Sequence, residues 1–218
     1  MNYQFLFQCL KGVGRFDLSR LSLPVMGTTH VLCPVNCNFN NLNEAIIEML
    51  TTARNTNYQA FLTSFPATKE RTRKWLSNLV AKDDGRILFV LKDACSGNLY
   101  GYMGFAYGDT AGNRIEGDAI VKYSKENKPG LMQAAFMELI EWARQSLEIK
   151  EIWVRVLSDN PAIVFYQRCR FIYKYIRPLY EVKGNDGKIE ALTEYPNESS
   201  TPSYRTLTYM KYSPLIKL

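Results

Sequence analysis

The chain has 218 residues, of which 46% are hydrophobic and 22% are charged, and its formal net charge is +6. These values predict a globular protein with one full core, or one core with an extension. No apolar run approaches the roughly 18 residues of a membrane span, so we expect no membrane partner. The apolar segment 5–10 is short and no basic residue precedes it. It does not predict a signal peptide, and we expect a cytoplasmic protein.

Histidine and cysteine usage argues against several enzyme classes. His30 is the only histidine, which disfavours Ser-His and Cys-His hydrolases. The five cysteines lack the spacing of a disulfide framework. Cys33 and Cys37 are followed by no second pair, so we predict no zinc site and no metal. We expect His30 to be a loop or surface residue.

The chain alternates strand-like apolar runs with runs of helical periodicity after its first thirty residues. Within those thirty residues, glycine and proline recur at short intervals and prevent any long element. Strands are predicted over residues 30–34, 86–91, 99–107, 114–121, 152–157, 171–182, 188–195 and 204–212. Helices are predicted over residues 43–50, 69–80, 130–147 and 161–169.

This order of elements predicts an α/β (α+β) protein with a mixed, mostly antiparallel central sheet and helices on its faces. The turn at Gly97 and Asn98 joins two strands into a probable hairpin. Residues 196–202 are rich in Ser and Thr and predict a polar linker. We divide the chain into an N-terminal extension, residues 1–30, packed on a domain of residues 31–218.

The most informative segment is 158–171, which follows the strand-like run 152–157. Asn160 can cap a helix, and Pro161 suits its first turn, where no amide hydrogen is needed. Apolar residues then recur at helical spacing: Ala162, Phe165, Tyr166 and Cys169. This strand, Asn-capped short helix with a Phe-Tyr pair, then Phe and strand resembles motif B of the GNAT superfamily of acyl-CoA N-acetyltransferases. An ordinary βαβ unit, in which Phe165 and Tyr166 only pack, is the alternative.

The turn before the long helix is the second informative segment. A pyrophosphate needs close backbone approach, amide hydrogens and a favourable dipole, which a helix N-terminus supplies. Residues 127–132 resemble the Arg/Gln-x-x-Gly-x-Gly/Ala turn of GNAT motif A, with Gly130 at the first glycine. The match is degenerate, because Asn127 and Met132 replace two motif residues and Pro129 has no amide hydrogen. Lys128, with Lys125, can offset this by pairing with phosphates.

The resemblance covers roughly residues 30 to 213 and implies a GNAT-like fold with acetyl-CoA as co-substrate. Arg54-Asn55 and Trp75 are most similar to the branch that includes ribosomal-protein and amino-sugar N-acetyltransferases. The cofactor-binding residues that the resemblance implies are Val121, Lys128, Gly130, Leu131, Met132, Asn160 and Tyr166. Asn160 can contact the pantetheine arm, cap the helix, or do both. Cys169 and Arg170 stand where the family often has Gly before Phe, which makes Arg170 a departure.

Two side chains are candidates for catalysis. An amine that attacks a thioester must be neutral, and the departing thiolate benefits from a proton. Glu116 lies eleven positions before Asn127 and resembles the catalytic glutamate of some GNAT enzymes. Asp118 is its same-face neighbour and either shares this work or binds substrate. Tyr166 resembles the motif-B tyrosine that can protonate the thiolate, and its alternative role is packing through the ring.

We therefore expect an N-acetyltransferase that moves an acetyl group from acetyl-CoA to a primary amine. The acceptor is a small molecule, with an amino sugar as one option, or a protein or peptide N-terminus. A non-catalytic acyl-CoA-binding or interaction module on the same fold is the alternative. Nucleic-acid binding through Lys69, Arg71, Arg73 and Lys74 is a weaker alternative, because that cluster lacks a recognition context. A homodimer is left open.

Overall fold

The computed structural model describes residues 3–109, 111 and 113–214. They form two compact units, one of Met1–Arg54 and Ala67–Ile152 and one of Asn55–Pro66 and Trp153–Leu218. The helices are α1 (Tyr3–Leu10), α2 (Glu44–Thr56), α3 (Lys69–Lys74, continued by a π-helix over Trp75–Val80), α4 (Leu131–Ser146) and α5 (Ala162–Arg168). The strands are β1 (Leu23–Pro24), β2 (His30–Pro34), β3 (Ile87–Asp93), β4 (Leu99–Asp109), β5 (Arg114–Lys122), β6 (Glu151–Leu157), β7 (Phe171–Lys183), β8 (Ile189–Thr193) and β9 (Thr201–Tyr212).

The first unit contains an antiparallel sheet in the order β1-β2-β3-β4-β5. The β3 sequence is almost wholly apolar, and its first five residues are buried. A strand of this kind needs cover on both faces. Helix α4 supplies part of that cover, since the Trp142 ring meets Phe89 edge-on at 5.5 Å and stacks on Phe7 at 6.3 Å.

Helices α2 and α3 lie against one another in the first unit. Their Thr51 and Thr72 hydroxyls share a buried hydrogen bond of 2.8 Å. Thr68 caps α3 by accepting the Arg71 amide hydrogen at 3.2 Å, so a full capping box is not needed. Basic residues of the 69–74 cluster form ion pairs with carboxylates: Lys69–Glu48, Arg73–Glu44 and Lys74–Glu70. These pairs reduce the positive potential that nucleic-acid binding would require.

Helix α1 is an element that the sequence did not predict. Phe7 is fully buried, and so is Lys11, directly after the helix. The Lys11 ammonium donates to the carbonyl oxygens of Val80 at 2.9 Å and Asp83 at 2.8 Å, at the C-terminal end of the π-helix. Burial lowers the pKa of Lys11, and the carbonyl dipoles offset part of that cost. The boundary near residue 30 stays a prediction.

The second unit contains an antiparallel sheet in the order β6-β9-β7-β8. One hydrophobic cluster of this unit contains buried residues that pack together: Leu157, Leu179, Leu207 and Tyr209. Segment 55–66 joins this unit through the edge of β8. The Ser64 amide donates to Glu190 O at 2.7 Å, and the Leu192 amide donates to Leu62 O at 2.6 Å.

The mixed α/β class with a mostly antiparallel sheet flanked by helices is confirmed. The predicted hairpin is also confirmed, because β3 and β4 pair around a turn in which Gly97 has a φ of +75°. The expectation for His30 was wrong, since its side chain is buried at the start of β2. The predicted linker ends earlier than expected, because β9 already begins at Thr201. No helix in the described parts of the chain is long and apolar enough to cross a membrane.

The α5–β7 junction shows how the chain accommodates Arg170. Residues Gln167 and Cys169 precede it at the end of the helix, and Arg170 itself has a φ of +66°. Its amide donates to Gln167 O at 2.9 Å, and its carbonyl accepts the Ser213 amide at 2.9 Å. Only glycine adopts this left-handed conformation without steric cost. Arg170 therefore departs from the motif in residue type, but its backbone keeps the left-handed conformation that suits glycine, at a cost in strain.

Replacing Arg170 with glycine is expected to stabilise the protein by about 0.5–1 kcal/mol, because the left-handed backbone would no longer carry a Cβ. Urea denaturation measures this free energy of unfolding. Arg168→Gly is the matched control and should destabilise by about 1 kcal/mol, because Arg168 is helical. Equal effects of the two substitutions would contradict the strain at Arg170.

Candidate active site

Helix α4 begins without a side-chain cap among the described residues. Gly130 precedes its first turn with a φ of +80°, and a Cβ built there would meet nothing within 4 Å. The first turn of a helix leaves backbone amides without intrahelical partners. An open approach, a left-handed glycine and outward amides together suit a phosphate group.

Lys128 lies in this turn, and its ammonium is held by two side chains. It pairs with Glu126 Oε2 at 2.9 Å and lies 3.2 Å from His30 Nε2. The same ammonium lies 5.9 Å from the centre of the Tyr100 ring. Lys128 therefore carries its positive charge three residues before the start of α4.

Strand β5 contains a bulge that sequence reasoning did not predict. Tyr102 of β4 pairs with Val121, but Gly104 pairs with Asp118, so two residues of β5 oppose one residue of β4. One of the two, Ala119, has a φ of +53°. A bulge of this kind takes a backbone amide out of the ladder and turns it in a new direction. The only signal for it would have been the small size of Ala119.

The two candidate carboxylates lie on the same face of β5, as their two-residue spacing predicts. Glu116 is buried, and its Oε1 accepts from Arg114 Nη2 at 2.9 Å. Asp118 forms an ion pair with Arg86, which also contacts Asp83 at 3.3 Å. Each carboxylate is therefore oriented by an arginine.

Arg86 is the residue of this region that sequence reasoning missed. Burial lowers its pKa, but Asp118 and Asp83 outweigh that effect and hold the pKa above its ordinary value. The guanidinium consequently stays charged while it is largely buried. Arg86 precedes a buried strand, where a charged residue is uncommon, and that position was the available signal.

Tyr102 and Arg54 extend the same face of the first unit. Tyr102 lies on the same side of β4 as Gly104, which is the direct partner of Asp118. Burial raises the pKa of the Tyr102 hydroxyl, although the positive charge of Arg54 opposes this. Gly104 is required by the close approach of β3, because a Cβ built there would collide with the carbonyl oxygen of Ile87.

The segment that resembled motif B lies in the second unit. Asn160 Oδ1 accepts the Ala162 amide hydrogen at 2.9 Å, which confirms the capping role of Asn160. Tyr166 is buried, and its ring meets Phe165 and Phe171 edge-on at 5.4 and 5.9 Å. Cys169 is also buried, and burial raises its thiol pKa to about 12, so it is a packing residue.

The remaining predicted cofactor residues lie at β5 and the start of α4. Val121 and Leu131 are buried. The Met132 sulfur approaches Gly101 of β4, since a Cβ built on that glycine would lie 3.1 Å from it. Leu131 and Met132 thus direct their side chains to the protein, and only their backbone could serve a phosphate. Among the described residues no three His, Cys, Asp or Glu side chains cluster as a metal site would require.

Residues 40–171 match the family model of the Acetyltransferase (GNAT) domain. This match covers more than half of the chain. The chain belongs to the GNAT acetyltransferase family. With the family comes its enzyme class, so this GNAT protein is an acetyl-CoA-dependent acyltransferase, as the resemblance implied. No sequence among the curated proteins matches it.

Solved structures support the fold of this GNAT protein. A probable GNAT acetyltransferase from Chromobacterium violaceum matches with a TM-score of 0.64 and 15% identity, over 87% of this chain and 84% of that one. RimL, a ribosomal L7/L12 alpha-N-protein acetyltransferase in complex with coenzyme A, matches with a TM-score of 0.62 and 12% identity, over 88% and 97%. A spermidine N-acetyltransferase chimera from Vibrio cholerae and hSSAT matches with a TM-score of 0.58 and 16% identity, over 85% and 95%. At such identities the likeness shows the fold alone.

Proposed function

We propose that this GNAT protein transfers the acetyl group of acetyl-CoA to a primary amine of a small molecule or of a protein or peptide N-terminus. The observation that carries the proposal is the uncapped start of α4 at Gly130. The open space beside Gly130 fits a pyrophosphate, because a side chain there would fill the approach. The Met132 amide and the Lys128 ammonium would hold it, together with the Leu131 amide, which donates to Lys128 O at 3.2 Å and would share its hydrogen with the phosphate.

Acetyl-CoA supplies the acetyl group as a thioester. We propose Glu116 as the base that removes a proton from the acceptor amine, directly or through a water molecule. The amine nitrogen then bonds to the carbonyl carbon of the thioester, and negative charge develops on the carbonyl oxygen. A backbone amide that the bulge at Ala119 takes out of the ladder would donate a hydrogen bond to this oxyanion. Arg114 would keep the Glu116 carboxylate in one orientation during this step.

The carbon–sulfur bond then breaks, and the sulfur departs as a thiolate. We propose that the Tyr166 hydroxyl protonates that thiolate. The edge-on contacts of its ring with Phe165 and Phe171 support the role, because they restrict the direction of the hydroxyl. Asn160 is proposed to contact the pantetheine arm while it continues to cap α5.

The charges on β5 favour some acceptors over others. Asp118, the proposed substrate-binding residue, and Glu116 are both paired with arginines. A polyamine would have to displace those arginines, at a cost in lost ion pairs. We therefore propose a monoamine acceptor, such as an amino sugar or a peptide N-terminus. A cytoplasmic location and a homodimer stay predictions, as does the lack of a nucleic-acid or membrane partner.

The first prediction concerns acetyl-CoA binding at Gly130. Isothermal titration calorimetry is expected to show micromolar binding by the wild type and a loss of at least fiftyfold in Gly130→Trp, because the indole would occupy the phosphate approach. Gly187→Trp is the matched control, since Gly187 also has a positive φ and open space around it, in the turn between β7 and β8. It should keep the wild-type affinity.

Two outcomes of that titration would contradict the proposal. Absence of binding by the wild type at millimolar acetyl-CoA would favour an interaction module on a GNAT fold. Equal losses in both tryptophan variants would mean that the pyrophosphate binds elsewhere.

The second prediction concerns Tyr166. With an amine acceptor found by screening, Tyr166→Phe should lower kcat about 10²-fold, because the thiolate loses its proton donor. Its acetyl-CoA affinity should change less than threefold. Tyr212→Phe is the control, because Tyr212 is also buried and also meets Phe171 edge-on, at 5.7 Å. A Tyr166→Phe enzyme with wild-type kcat would leave this tyrosine a packing role only.

The third prediction separates the two carboxylates of β5. Glu116→Gln should lower kcat about 10²-fold, because the base is lost. Asp118→Asn should mainly raise the KM for the amine. Steady-state kinetics with the amine concentration varied measures both effects. If Asp118→Asn lowers kcat as strongly as Glu116→Gln, the roles assigned to the two residues must be revised.

A further inference from the structure

We infer that Tyr100 and His30 are positioning residues for the cofactor's pyrophosphate, Tyr100 by holding the backbone of residues 126–128 and His30 by holding Lys128. This inference rests on the proposed function, because it concerns the same phosphate site. Both residues lie outside the turn itself, Tyr100 on β4 and His30 on β2. The turn is therefore supported by two strands of the first unit.

Tyr100 contacts the turn through its hydroxyl and its backbone. The hydroxyl lies 3.3 Å from Glu126 O and 3.2 Å from Lys128 O, so it can donate to either carbonyl. The Tyr100 carbonyl accepts the amides of Tyr123 and Ser124, each at 2.9 Å. Both ends of segment 123–128, which leads into the turn, are thus hydrogen-bonded to one residue of β4.

The direction of these carbonyl groups decides where the turn's amides point. In a planar trans peptide, the C=O of one residue and the N–H of the next point in opposite directions. Because Glu126 O is held by Tyr100 and by Lys122 Nζ at 2.9 Å, the Asn127 amide is directed away from them. Tyr100 therefore orients the Asn127 amide so that it can donate to an anion. Pro129, which has no amide hydrogen, cannot make such a bond.

His30 supports the charged part of the turn. Its Nε2 lies 3.2 Å from Lys128 Nζ, a distance at which the ammonium donates to a neutral imidazole. The His30 ring packs edge-on against Tyr100 at 5.9 Å, so the two residues support each other. Its Nδ1 is buried without a hydrogen-bond partner in the part of the chain described. An unsatisfied buried nitrogen costs stability, and a functional role for the residue would explain why this cost is tolerated.

The same contact makes Lys128 sensitive to the charge on His30. The charged groups that face the imidazole are Lys128 and Glu126 in the turn and Asp93 at the end of β3. Burial, followed by Lys128, lowers the pKa of His30, while Asp93 and Glu126 oppose this. The imidazole is therefore neutral at pH 7.5, and it gains its proton only at a pH below 6.5, the ordinary pKa of histidine. A protonated His30 would repel Lys128.

Calorimetric titration with acetyl-CoA tests the inference without any acceptor. At pH 7.5 we expect Tyr100→Phe to weaken binding about fivefold to tenfold, because the carbonyls lose their hydroxyl donor. Tyr173→Phe, which removes a hydroxyl from an exposed tyrosine of β7, should stay within twofold of wild type. The melting temperature without ligand shows whether each variant is folded.

A pH series on His30 variants gives a readout that a purely structural role would not move. His30→Leu should weaken binding about fivefold at pH 7.5, while His30→Gln, which keeps an acceptor near the Nε2 position, should stay near wild type. Between pH 7.5 and 5.5 the wild type should lose more affinity than His30→Gln, because glutamine does not protonate. The titration of the cofactor's own phosphates is common to both proteins and cancels.

The outcomes separate this inference from the function on which it rests. If the wild type binds acetyl-CoA and Gly130→Trp does not, but Tyr100→Phe binds as tightly as wild type, only the positioning role of Tyr100 is overturned. An identical pH dependence in wild type and His30→Gln overturns the role of His30. If the wild type does not bind acetyl-CoA at all, the proposed function and this inference fall together.

Discussion

The peptide groups at the start of α4 impose the constraint on which the site depends. Backbone amides need acceptors, and the first turn of a helix cannot provide them internally. No side chain of the described residues caps α4, and Gly130 leaves its approach open. A bound anion would accept hydrogen bonds from these amides, and the helix dipole would stabilise it further. In the proposed function, the conformation of Gly130 serves cofactor binding as well as folding.

Family membership gives the chemistry of this protein, whereas its own residues give the way that chemistry is supported. The turn departs from the family pattern at Asn127 and Met132, and Pro129 lacks an amide hydrogen. Contacts from the neighbouring strands accompany these departures: the Tyr100 hydroxyl on two carbonyls and the imidazole beside Lys128. Arginines hold the carboxylates of β5 in the same manner. The residues of the turn itself differ from the motif, and side chains of the neighbouring strands hold the turn in place.

The sequence predicted best where one segment contains all the information. Apolar periodicity located α4, and the Gly97-Asn98 pair located the hairpin, because both depend on adjacent residues. The Asn160 cap is local in the same sense. Family resemblance, carried by residues 127–132 and 158–171, supplied the enzyme class. It could do so because phosphate binding and helix capping need particular residues at short spacing.

Features that depend on distant residues were not predictable. Arg86 meets Asp118 across 32 residues of sequence, and Lys128 meets His30 across 98. A lone histidine has no periodic signal, so its burial could not be deduced from the residues around it. The bulge at Ala119 depends on the register of β4 against β5, which spacing alone does not determine. Helix α1 was missed because only eight residues form it, and Gly12 and Gly14 follow soon after its end.

The pairing of segment 55–66 with β8 has a consequence for how the protein is made. Ser64 donates to Glu190, and Leu192 donates to Leu62, so this part of the second unit joins residues made far apart in time. At typical rates of synthesis, a ribosome needs roughly 10 s to pass from one partner to the other. During that interval the apolar side chain of Leu62 lacks the core of Leu157, Leu179 and Leu207 against which it later packs. Segment 55–66 therefore stays without its partners in the second unit until most of the chain has been synthesised.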